Sequence, residues 1–95
     1  MMRKVIVTHP RTRTERQIDS AIYEPFKKAI LKSLKGSGGK SFTNLTEDVK
    51  KIIHREMPSF KGSIPWYTIS IRLDLETRGV IETFTEKGKK LNRLK

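Results

Sequence analysis

The stretch IPWYTISIRLDLETR, residues 64–78, constrains the fold more than any other part of the chain. Ser63 can cap it, Pro65 fits a first helical turn, and Gly79 supplies a left-handed exit, so these residues predict a helix. At 100° per residue, Ile64, Tyr67, Ile71 and Leu75 fall on one side. Trp66, Ile69 and Leu73 fall nearly opposite, so the helix is apolar on two faces and has to be covered on two faces. A chain of 95 residues has room for one hydrophobic core but not two. The second stripe therefore needs either the N-terminal segment, whose Val5-Ile6-Val7 has no other evident partner, or a second copy of the chain.

The remaining elements follow from spacing and punctuation. Val5-Ile6-Val7 is a short β-branched strand ended by Pro10, and the basic stretch RTRTERQ can turn back as a second strand ending at Ile18. Asp19 or Ser20 starts a first helix, in which Ile22, Phe26, Ile30 and Leu34 recur at i+4. Pro25 is awkward there and predicts a separate first turn, with regular helix from about Glu24. A second helix runs from about Phe42 or Thr43 to Met57, with Phe42, Leu45, Val49, Ile52, Ile53 and Met57 on its apolar face. Acids near its start and bases near its end suit the helix dipole. After the third helix, Val80–Phe84 is β-like, Glu86–Lys89 can turn, and Lys90–Lys95 returns as a strand with Leu91 and Leu94. A short C-terminal helix capped by Thr85 is the alternative, which Gly88 disfavours. The core is expected to hold Ile22, Phe26, Ile30, Leu45, Val49, Ile52, Ile71, Leu75 and Ile81.

Several kinds of chemistry find no support. There is no cysteine, which removes disulfides, thiolate metal sites and thiol nucleophiles. His9 and His54 lie in different elements, and Asp74 and Glu76 are two apart on a helix, so neither pair forms a metal or carboxylate site. The loop GSGGKS, residues 36–41, is expected to be flexible and resembles a phosphate-binding loop only in composition: Leu34 stands where the first Walker glycine belongs, and the loop follows a helix rather than a strand. We expect no enzyme activity, no cofactor and no small-molecule substrate. No run is long and apolar enough for a signal peptide or membrane span, which predicts a cytoplasmic protein with no membrane partner.

The stretch Leu73-Asp74-Leu75-Glu76-Thr77-Arg78-Gly79-Val80-Ile81-Glu82 resembles the junction in winged-helix proteins of the helix-turn-helix class, where the third helix ends and the wing begins. SFTNLTEDV and GSIPWYTISIRLDLETRGVIE resemble a family of small uncharacterised bacterial winged-helix proteins. Their N-terminal strand and His-Pro segment are matched by Val5-Ile6-Val7-Thr8-His9-Pro10. The resemblance implies that Gly79 permits the sharp exit and that Leu75, Val80 and Ile81 return to the core. It implies one domain, 1–95, mainly α with a small β component. A basic β extension (1–18) precedes a three-helix core (19–78) and a hairpin wing (79–95).

Lysine and arginine number 21 against 10 acids, for a net charge of +11, which marks a candidate polyanion binder. The excess is uneven: +7 over residues 1–40, +1 over 41–62, zero over 63–78 and +3 over 79–95. The third helix, which reads bases in a DNA-binding winged helix, carries none of it. The expected function is therefore binding of nucleic acid, duplex DNA above all, through phosphate contacts. Arg11, Arg13 and Arg16 on the arm, Lys27 and Lys28 on helix one, and Lys87, Lys89, Lys90 and Arg93 on the wing are the candidate contacts. Thr68 and Arg72, on a flank of helix three, are added as candidate readers. The rival reading is a protein-interaction or homodimerisation module with Trp66, Ile69 and Leu73 at its interface.

Overall fold

Local signals set most element boundaries in the computed structural model, which describes residues 3–95. Met1 and Met2, the first residues of the expected extension 1–18, lie outside the described residues. Strands β1 (Lys4–Thr8) and β2 (Glu15–Asp19) precede helices α1 (Ser20–Leu34), α2 (Phe42–Glu56) and α3 (Ile64–Thr77), and strands β3 (Ile81–Glu86) and β4 (Lys89–Leu94) follow. The fold is α+β, with two separate antiparallel two-stranded sheets, β1–β2 and β3–β4.

Ser41 and Ser63 cap α2 and α3, their side chains accepting from the N–H of Asn44 and Trp66. Gly79, at φ 74°, turns the chain out of α3. Lys87 and Gly88 both have positive φ, 50° and 78°, and join β3 to β4 in a two-residue loop of the twist that suits a hairpin. The expected C-terminal hairpin is thus present, and the alternative helix is not.

Phe26, Ile30, Leu45, Val49, Ile53, Ile71, Leu75 and Ile81 form the centre of one core, none more than 1% exposed. Ile22 and Ile52, expected inside, pack against it partly buried. Phe26 meets Phe60 and Tyr67 at ring separations of 5.4 and 5.6 Å.

Three local expectations are corrected. Helix α1 starts at Ser20 and runs through Pro25 without a separate first turn. The one carbonyl that loses a helical partner belongs to Ala21, which is exposed to water. Asp19 makes no side-chain cap; its carboxylate pairs with Lys4 at 2.6 Å, and the first helical N–H, of Ser20, donates to the Arg3 carbonyl at 2.8 Å. The loop GSGGK, expected to be flexible, is moored. Lys40 exchanges two backbone hydrogen bonds with Asn92 of β4 (2.8 and 2.7 Å), and its ammonium pairs with Asp48. Hydrogen bonds from Lys40 and then Ser33 hold the Asp48 carboxyl below the usual carboxylate range.

The N-terminal hairpin docks on α3 through polar contacts that periodicity does not display. Asp74, 1% exposed, accepts from the Thr8 N–H (3.0 Å), the Tyr23 hydroxyl (2.7 Å) and Arg78 Nε (2.7 Å). Thr77 Oγ1 donates to the Thr8 carbonyl (2.8 Å) and Arg78 Nη2 to the Ile6 carbonyl (3.1 Å). Burial, then the hydrogen bond to Asp74, pushes the Tyr23 hydroxyl well above the ordinary tyrosine range. The folded state therefore holds that proton more tightly than the unfolded chain. This contribution to stability is complete below the ordinary tyrosine value near ~10 and is lost as the pH rises beyond it toward the folded value. Urea midpoints measured upward from neutral pH through the tyrosine range should fall less steeply for Tyr23→Phe than for the unaltered protein. Parallel alkaline limbs would show that Tyr23 ionises as freely folded as unfolded.

Candidate nucleic-acid interface

Because β1–β2 and β3–β4 pack on opposite flanks of α3, the outer edge of that helix lies between two hairpins. Toward the N-terminal hairpin, Leu73 and Ser70 share a cleft of about 210 Å³ with Val7, Thr8, His9, Thr12, Thr14 and Arg16. Toward the C-terminal hairpin, Ile69 and Arg72 share one of about 230 Å³ with Phe42, Lys90 and Asn92. Neither cleft has a carboxylate in its lining. Carboxylates do line the grooves elsewhere, such as Glu24 and Glu56 in the α1–α2 groove.

The second apolar stripe of α3 is divided. Leu73 is half-buried, and its cleft partner Val7 is only 4% exposed, so the N-terminal hairpin covers this end of the stripe. Trp66 and Ile69 stay at the surface, 41% and 39% exposed. The Arg16 guanidinium lies 5.9 Å from the centroid of the Trp66 ring, within the outer range of a cation–π contact.

The six-residue turn between β1 and β2 is built to hold basic side chains outward. His9 Nδ1 accepts from the N–H of Arg11 (3.1 Å) and of Thr12 (3.2 Å). The His9 carbonyl accepts from Arg13 N–H, and Arg13 adopts a positive φ of 61°. Arg11, Arg13 and Arg16 are exposed, and none makes an ion pair among the described residues; nor do Lys87, Lys89 and Lys90 on the other hairpin. Sequence reading identified the arginines but missed His9, whose part in the turn shows only once Arg11 and Thr12 fold back toward it.

Two candidates are withdrawn from the surface. Thr68 is fully buried, with Oγ1 donating to the Ile64 carbonyl at 2.7 Å. Arg72 is 6% exposed; Nη1 donates to Asn92 Oδ1 at 2.8 Å and lies 3.4 Å from Glu76. Burial lowers its pKa, with Arg11 close enough to push in the same direction. Thr68 thus lies inside the fold, and Arg72 ties α3 to β4 at the edge of the cleft that it lines with Ile69 and Lys90. Arg93 is also committed, with Nε donating to Glu82 (2.6 Å) and the guanidinium over Phe84 at 4.2 Å. Lys28 lines the α1–α2 groove, and Lys27 is half-buried on the same helix; neither lines a cleft beside α3.

Among the described residues, no cluster of three or more His, Asp or Glu could hold a metal ion, and no helix is long and apolar enough to cross a membrane. Residues 4–91 match the model of a Family of unknown function (DUF6958). No curated protein and no solved structure matches the chain.

Proposed function

We propose that this chain, which belongs to the DUF6958 family of unknown function, is a winged-helix protein that binds nucleic acid, duplex DNA above all, through phosphate contacts and with little sequence preference. In this reading α1–α3 are the helical core, β3–β4 is the wing and β1–β2 is an added basic arm. The observation that carries it is the pair of carboxylate-free clefts beside α3, one lined by Arg16 and the other by Lys90, neither of which has an ion-pair partner among the described residues. A polyanion laid along that edge meets Arg11 and Arg16 on one side and Lys90 on the other, with no acid in either cleft to repel it. Low sequence preference follows from what α3 offers. Trp66, Ile69 and Leu73 present no side-chain donors for the edges of paired bases beyond the single indole N–H.

Fluorescence anisotropy with a labelled random duplex at two salt concentrations tests the reading. Affinity should fall steeply with salt, by a log–log slope of about 0.9 for each phosphate neutralised. Replacing Arg11, Arg13 and Arg16 together with alanine should flatten that slope by up to about 2.7 if each meets one phosphate, and Lys87, Lys89 and Lys90 should behave alike. Lys27→Ala and Lys28→Ala should change it least. Absence of binding at low salt would sink the proposal. The exposed Trp66–Ile69 pair favours one rival, a homodimerisation module, for which light scattering would report twice the 11.0 kDa chain mass.

A further inference from the structure

Trp66 is the chain's only tryptophan, and a ring of that size on a helix of a small domain normally finds cover. Here it is 41% exposed yet firmly mounted. It meets Tyr67 edge-on, with centroids 4.9 Å apart and planes at 88°, and Tyr67 is itself set against Phe26 and Phe60 at 5.6 Å each. Ile69, three residues along the same face, extends the apolar surface. Around it stand Arg16, which has no carboxylate partner among the described residues, and Lys90 across Ile69.

A second copy of the chain is a poor occupant, because a symmetric contact sets this patch against the same patch of the other copy, so Arg16 and Lys90 would face further cations with no acid lining either cleft. An intact duplex satisfies the cations but leaves the ring without a partner, since its bases are stacked on one another. A strand with an unpaired base meets both needs: a π-face for Trp66 and flanking phosphates for the cations. The geometry points to Trp66 as a stacking platform for an unpaired base of DNA, with Arg16 and Lys90 holding the phosphates beside it. Arg16, at 5.9 Å from the ring centroid, is loosely enough placed to swing onto a phosphate and open that face of the indole.

This inference rests on the nucleic-acid reading above, and the test separates the two. Three DNA probes of equal length are titrated by anisotropy while tryptophan emission is recorded: an intact duplex, the same duplex with a three-nucleotide single-stranded gap, and a single strand. Gapped and single-stranded DNA should bind more tightly than intact duplex and quench Trp66. Trp66→Ala should weaken binding to those two probes by about 5- to 150-fold and leave intact duplex within about twofold, and Trp66→Phe should keep part of the preference. Because Trp66 is on the surface, the alanine variant should melt as the unaltered protein does. Equal affinity for gapped and intact duplex without quenching overturns this inference and leaves duplex binding standing, whereas no binding to any probe overturns both. A dimer that Trp66→Ala turns into a monomer overturns it in favour of a second copy.

Discussion

Asp74→Ala should destabilise the protein by about 3–5 kcal/mol and loosen the N-terminal hairpin from α3. Asp74 is a buried carboxylate with three donors, the Thr8 N–H, the Tyr23 hydroxyl and Arg78 Nε; Arg78 is half exposed and can turn to water, so the cost comes from the Thr8 and Tyr23 hydrogen bonds to a charged acceptor, at about 1.5–3 kcal/mol each. Part of the loss is the desolvation of groups left behind: the Tyr23 hydroxyl sits in a residue only 4% exposed, and an orphaned buried donor costs about 1–3 kcal/mol. Total stability for a chain of this length is about 5–14 kcal/mol, so the substitution removes a large share of it. Urea unfolding gives the global figure, and hydrogen exchange at Thr8 and Arg16 reports release of the hairpin. Asp74→Asn keeps an acceptor oxygen and should cost less. A loss below about 1 kcal/mol for Asp74→Ala would mean that the three hydrogen bonds do not hold the hairpin in solution.

That network also marks where sequence reading runs out. Apolar periodicity identified α1, α2 and α3, and turn chemistry at Lys87-Gly88 identified the hairpin, because each rests on residues within a few positions of one another. The junction at Gly79 and the burial of Ile71, Leu75 and Ile81 were legible for the same reason. Asp74 was not, because its partners Thr8 and Tyr23 lie 66 and 51 residues away, and a carboxylate on a helix flank looks like any solvated acid. Arg72 misled in the opposite direction: a charged residue between two apolar stripes reads as surface, while its partner Asn92 is 20 residues further along, on β4. Of the candidate interface, the cations of Arg11, Arg13 and Arg16 and of Lys87, Lys89 and Lys90 were visible as composition. Their grouping on the two hairpins beside α3 depends on docking through Asp74, Thr77 and Lys40, which no local pattern encodes.

Phe26→Ala should cost about 3–5 kcal/mol, the range for removing a large aromatic side chain from a well-packed core. Phe26 is fully buried, with Phe60 at 5.4 Å and Tyr67 at 5.6 Å, and those two rings lie 5.6 Å from each other. The cavity is therefore bounded by two rigid rings that collapse poorly, which places the cost toward the upper end, and Phe26→Leu should recover part of it. The same substitution reaches the surface by a route that can be measured. Tyr67 supports the Trp66 ring edge-on at 4.9 Å, so loss of the Phe26 contact should let Tyr67 move and alter the emission of Trp66 in the folded state. Fluorescence at urea concentrations below the unfolding transition isolates that effect from unfolding itself. A destabilised protein with unchanged Trp66 emission would show that the surface ring is held by its own helix alone. Changes in both would join the core of the fold to the face of α3 on which DNA binding is proposed.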